Sequence, residues 1–137
     1  MLPSGIQCMW SFTINIYGDT YIESRVPYMV TCTISKFKEG RITTFNVKKS
    51  ATDQLGVSIR HSTEYGCFIL SGTYRLCQSS LCSCDTDGLA THWIYSTPAD
   101  LSSSVTFICS SSDNNGVLQS SVQWTPTVSC KCLVFVS

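Results

Sequence analysis

Residues 104–124 read SVTFICSSSDNNGVLQSSVQW, and their patterning decides the fold. Val105, Phe107 and Cys109 fall on one face of a period-two segment, the signature of a half-buried strand. Asp113-Asn114-Asn115-Gly116 then supplies residues that tolerate positive φ, and the chain turns back. The return segment alternates as well, with Leu118, Val122, Trp124, Val128, Cys130, Cys132, Val134 and Val136 sharing even parity. Pro126 interrupts it, which marks an edge, a bulge or a strand switch. A cysteine on the apolar face of such a hairpin points into a core.

The same alternation recurs upstream, and helical periodicity does not. CMWSFTINI places Cys8, Trp10, Phe12, Ile14 and Ile16 on one face. VPYMVTCTI sets Tyr28, Val30, Cys32 and Ile34 against Met29, Thr31 and Thr33, and RITTFNV puts Phe45 and Val47 together. QLGVSIRH aligns Leu55, Val57 and Ile59, with His61 expected at a solvent-facing strand end and His92 as a strand residue beside Trp93. GCFILSGTYRLC reads as a hairpin about Ser71-Gly72-Thr73, which sets Cys67 opposite Cys77 and predicts a bridge between them. Seven to nine short strands without a helix predict an all-β, disulfide-bonded, two-sheet antiparallel sandwich. At 137 residues, with no repeat or composition break, one domain over 1–137 is expected.

Composition agrees. Only 13% of residues are charged, and polarity comes instead from 37 Ser and Thr, which suit sheet surfaces and turns. Nine basic residues balance nine acidic ones, so no net field draws the chain to nucleic acid. No apolar run approaches the ~20 residues of a membrane-spanning helix. Nine cysteines without zinc-knuckle spacing indicate an oxidising compartment, hence a secreted or extracellular protein. The opening MLPSGIQC lacks a leader's apolar core, which predicts a mature form.

These segments resemble an immunoglobulin-type domain of variable-like length, over roughly residues 26–136. VTCTI at Val30–Ile34 resembles the strand of the first core cysteine, and VTFIC at Val105–Cys109 that of the second. Phe45, thirteen residues beyond Cys32, stands where the family has a core Trp, and Phe107, two before Cys109, where it has Tyr. Ser103, Val105 and Phe107 replace the family's Asp-x-Gly-x-Tyr pattern. The resemblance implies a Cys32–Cys109 bridge and a secreted recognition protein of the kind invertebrate immunity uses.

With Cys32, Cys109, Cys67 and Cys77 so assigned, Cys8, Cys82, Cys84, Cys130 and Cys132 remain, an odd set that leaves one thiol free or joined to a partner. A bridge between the pair Cys82/Cys84 and the pair Cys130/Cys132 is geometrically allowed. So is a covalent or edge-strand oligomer.

Five of the nine basic residues, Lys36, Lys38, Arg41, Lys48 and Lys49, lie within fourteen positions around Phe37. If their loops share one end with Asn114 and Asn115, that end combines basic groups, an exposed Phe37 and two Asn amides, and suits a protein or an anionic glycan. No serine elbow accompanies His61 or His92, and abundant cysteines in an oxidising setting are structural, so no enzyme and no cofactor are expected. Asp85 and Asp87 before Gly88 echo a calcium loop, but the remaining ligands are missing and a tight turn explains them.

Overall fold

The computed structural model describes residues 12–49, 52–70, 75–101 and 104–129. Its elements are all strands: β1 (Ile14–Gly18), β2 (Tyr21–Ile22), β3 (Tyr28–Ile34), β4 (Ile42–Lys49), β5 (Thr52–Ser62), β6 (Gly66–Ile69), β7 (Arg75–Leu76), β8 (Cys82–Cys84), β9 (Ala90–Tyr95), β10 (Val105–Ser112), β11 (Leu118–Trp124) and β12 (Thr127–Val128). One sheet has the order β1-β3-β9-β8 and a second the order β11-β10-β4-β5-β6-β7. Neighbours in both are antiparallel. No helix among the described residues is long and apolar enough to cross a membrane.

A short third ladder corrects the expectation of a wholly antiparallel fold, because β12 pairs with β2 in parallel. The cause is Pro126, which has no amide hydrogen to continue a ladder. Beyond it Thr127 N donates to Thr20 O and Ser129 N to Ile22 O, so the proline marks a strand switch.

The alternation read from the sequence sets the core. Tyr28, Val30, Cys32 and Ile34 of β3 turn inward, as do Phe45 and Val47 of β4 and Val105, Phe107 and Cys109 of β10. Trp93 of β9 completes it, tilted against Phe45 at 5.6 Å between ring centroids and edge-on to Phe107 at 6.1 Å. Tyr28 stacks on Phe107 from the other side. Each such aromatic contributes about 1.5–3 kcal/mol by leaving water. A bulge between Phe45 and Asn46 accommodates Gly56, where a Cβ would stand 2.6 Å from the Trp93 ring. The indole therefore fits only over a glycine.

Three disulfides stitch the layers. Cys32 and Cys109, with Cα atoms 6.4 Å apart, join β3 to β10 and so one sheet to the other. The predicted Cys67–Cys77 bond is replaced by Cys67–Cys84 and Cys77–Cys82. Cys67 and Cys77 do stand opposite each other, since Cys77 N donates to Cys67 O at 3.0 Å. That hydrogen-bonded position is the wider of the two antiparallel pairings. The Cys67 side chain instead points inward, where β8 of the facing sheet presents Cys84. Cys82 and Cys84 are thus unavailable to the C-terminal cysteines. Cys8, Trp10, the Ser71-Gly72-Thr73 turn, Ser103, Cys130 and Cys132 lie outside the described residues.

Candidate functional site

Four connections converge at one end of the two sheets: residues 35–41 between β3 and β4, 63–65 between β5 and β6, 85–89 between β8 and β9, and 113–117 between β10 and β11. Specific contacts hold them together. Glu39 Oε1 accepts hydrogen bonds from Thr63 N at 3.0 Å and Thr63 Oγ1 at 2.9 Å, and these bonds hold its carboxyl below the usual range. The Phe37 ring lies over Gly88, and Asn114 lies against Gly40.

Two of the connections share one construction. In Asp85-Thr86-Asp87-Gly88 the Gly88 amide donates to Asp85 O at 2.9 Å with Gly88 at φ +74°, and Asp87 Oδ1 accepts from Leu89 N. In Asp113-Asn114-Asn115-Gly116 the Gly116 amide donates to Asp113 O at 2.9 Å, and Asp113 Oδ1 accepts from Asn115 N and Val117 N. A side chain closing its own turn is what Asp does best in hairpin loops. No group of three or more His, Cys, Asp or Glu set to hold a metal ion occurs among the described residues.

The basic cluster divides. Lys36 and Lys38 are exposed in the loop 35–41, and Lys38 lines a cleft together with Asn114 and Asn115. Lys48 and Lys49 close the far end of β4, opposite Thr106 and Val105, whereas Ile42 at the near end faces Ser112. Seven strand steps of about 3.3 Å put roughly 23 Å between the two groups. Loops at successive ends of one strand cannot share a tip.

Arg41 is also corrected from a surface contact to a buried one, at 3% exposure. Its Nη1 donates to Ser111 Oγ and Gln119 Oε1, and its guanidinium carbon sits 4.3 Å from the Phe12 ring centroid, a cation–π contact. Burial lowers its pKa. Arg41 floors a cleft of about 110 Å³ also lined by Lys38, Glu39, Asp113, Asn114 and Asn115. Two cations and two carboxylates there cancel, so this part of the end carries no concentrated positive field.

A larger cleft of about 270 Å³ opens alongside, walled by Phe37, Thr63, Asp85 and Thr86 and floored by His61 and the Cys67–Cys84 pair. Phe37, expected to be exposed, is half-buried because it packs over Gly88 with its edge toward His61, 6.3 Å between centroids. His61, expected at a solvent-facing strand end, is 3% exposed. Its Nε2 lies 2.8 Å from Thr91 Oγ1 and 3.4 Å from Thr43 Oγ1. Burial, and secondarily the Arg41 charge, lower its pKa to about 4, so the ring is neutral at physiological pH.

The sequence reading missed this cleft, although one signal for it was present. Extending the Val57–Ile59 alternation by two residues lands His61 on the inward face. His92 is a partly covered strand residue that holds the rim, with Nε2 3.0 Å from Asp85 Oδ1 and Nδ1 2.9 Å from Thr31 Oγ1. Thr31 is only 2% exposed, so its hydroxyl offers no approach to a substrate carbonyl. No protein-family model and no curated protein matches the chain.

Proposed function

We propose that the chain is a variable-type immunoglobulin-like recognition module, secreted or displayed at a cell surface, that binds a protein or glycan through the four loops at one end. Support for the architecture comes from strand order. β1-β3-β9-β8 follows the A-B-E-D order of such domains, and β11-β10-β4-β5-β6 follows G-F-C-C′-C″, with a disulfide between the strands corresponding to B and F. β7 is an addition, tied back through Cys77–Cys82. Trp93, from the strand corresponding to E, stands beside Phe45 in place of the family's strand-C Trp.

The observation that carries the function is the convergence of four mutually braced loops around two adjoining clefts. Loops on a rigid, disulfide-bonded scaffold are where recognition sites are built. The module acts by binding, without catalysis or cofactor. Three disulfides agree with an oxidising, extracellular setting.

A second reading, a disulfide-hardened structural protein that assembles through strand edges or a spare cysteine, is favoured by one fact. Six of nine cysteines pair within the described chain and an odd set remains.

Arrays of glycans and extracellular proteins test the first reading. Binding is expected to fall with Phe37→Ala or Lys38→Ala and to survive Lys48→Ala/Lys49→Ala at the opposite end. Binding that follows the distal lysines or ignores both sets rejects it.

A further inference from the structure

We propose that the cleft between Phe37 and Asp85 holds one uncharged sugar unit at the end of a glycan. This rests on the four-loop end being the recognition surface and names its ligand class.

Size is the first argument. A space of about 270 Å³ is roughly nine waters' worth at about 30 Å³ each, which encloses one monosaccharide and leaves any further unit outside.

The chemistry of the lining is the second. His61 is almost wholly buried, and its partners Thr43, Cys84 and Thr91 all engage Nε2, leaving Nδ1 without a hydrogen-bond partner among the described residues. A neutral imidazole offers at that atom either an acceptor or a donor, according to its tautomer, and a hydroxyl satisfies both. Asp85 gives Oδ1 to His92, and Oδ2 has no partner among the described residues. A carboxylate oxygen at a cleft wall accepts from sugar hydroxyls. Thr63 and Thr86 add further hydroxyls, and the Phe37 ring supplies an apolar wall for the C–H face of a pyranose.

Charge decides against the alternatives. Asp85 on the wall and Glu39, bonded to Thr63, repel an anionic sugar. Arg41, close enough to depress His61, opposes a cation on the floor. A neutral polyol meets neither penalty.

The test is a backbone-amide NMR titration of the whole chain with methyl glycosides of glucose, galactose, mannose and N-acetylglucosamine, and with N-acetylneuraminic acid as the anionic counterpart. At least one neutral glycoside is expected to shift Phe37, His61, Thr63 and residues 85–88. Loss of the charged acceptor in Asp85→Asn weakens that binding roughly tenfold. Phe37→Ala weakens it comparably, and Gln123→Ala on an exposed position of β11 leaves it unchanged. Asp85→Asn keeps an acceptor for His92, so its fold is preserved, and an unperturbed spectrum verifies this. A cleft silent to every neutral glycoside, or one that prefers the anionic sugar, overturns the proposal. If the cleft is silent while array binding still depends on Phe37 and Lys38, the sugar site alone fails. Array binding indifferent to those residues rejects the broader recognition reading.

Discussion

The ring of Phe37 lies over Gly88, so that the loop crossing from β3 of one sheet to β4 of the other roofs the β8–β9 hairpin turn. A Cβ at position 88 would collide with the ring, and the backbone there is left-handed at φ +74°. Gly116 closes the matching turn at φ +83° with nothing within reach of an added Cβ. The two turns therefore separate backbone strain from crowding. Gly116→Ala should cost about 1 kcal/mol, the strain of an L-residue in that region. Gly88→Ala should cost roughly 1–3 kcal/mol more, the scale of overpacking, as Phe37 is displaced. Urea denaturation of both variants measures the difference, and equal losses would mean that the Phe37 contact is worth nothing.

The three disulfides should rank by the chain they close. Cys32–Cys109 spans 77 residues, Cys67–Cys84 spans 17 and Cys77–Cys82 spans 5. In the chain-entropy view, paired replacement by Ala costs about 4, 3 and 2 kcal/mol respectively. Denaturation of the three double variants checks the order, and peptide mapping of the oxidised protein should return these pairs. Recovery of a Cys67–Cys77 peptide would contradict the connectivity.

Why the sequence foretold the first of these bonds and not the second lies in the kind of information each needs. Val30/Cys32, Phe45/Val47 and Val105/Phe107/Cys109 declare their inward faces by local period, and the pairing of Cys32 with Cys109 came from the resemblance of their two strands to those that carry the core cysteines of immunoglobulin-type domains. Cys67 also declares its register opposite Cys77, but its bond depends on which strand of the facing sheet passes beneath it. Local pattern carries no such distance. The basic cluster failed for a related reason: Lys38 and Lys48 are near in sequence only because β4 is the path between them, and that path spans the sheet. His61 sits between polar Arg60 and Ser62, and its burial is supplied by Phe37, Thr43 and Thr91 from three other segments.

Cysteine parity gives a sharp count. Nine cysteines with three bonds made leave Cys8, Cys130 and Cys132, and at most one further bond can form among them. A chain with no bond to another molecule must therefore show an odd number of alkylated thiols when it is denatured without reduction. Intact-mass analysis alongside non-reducing electrophoresis reads this directly. A covalent dimer, with the odd thiol consumed, would favour the assembly reading, and a monomer bearing one or three labels would favour a module that works singly.

Acid should weaken the fold through His61. In the unfolded chain the imidazole takes up a proton as pH falls below 6.5, while in the folded chain it stays neutral down to about 4. The depressed native pKa means that the unfolded state binds more protons in this window, so stability is full above pH 6.5 and declines on the way to 4. At 1.36 kcal/mol per pH unit the loss is on the order of 3 kcal/mol. Glu39 adds its own decline at lower pH, because its stabilising bonds to Thr63 are lost as the carboxylate protonates below its ordinary range. Denaturation at pH 7 and at pH 4.5 should show a smaller difference for His61→Gln than for the native chain, and taking the difference between the two proteins cancels the other titrating groups. Arg41→Met offers a finer check. Removing the lesser cause should raise the His61 pKa only part of the way toward 6.5, since burial is the greater one. The imidazole C–H resonances report that midpoint, and one that stays near 4 would assign the whole depression to burial.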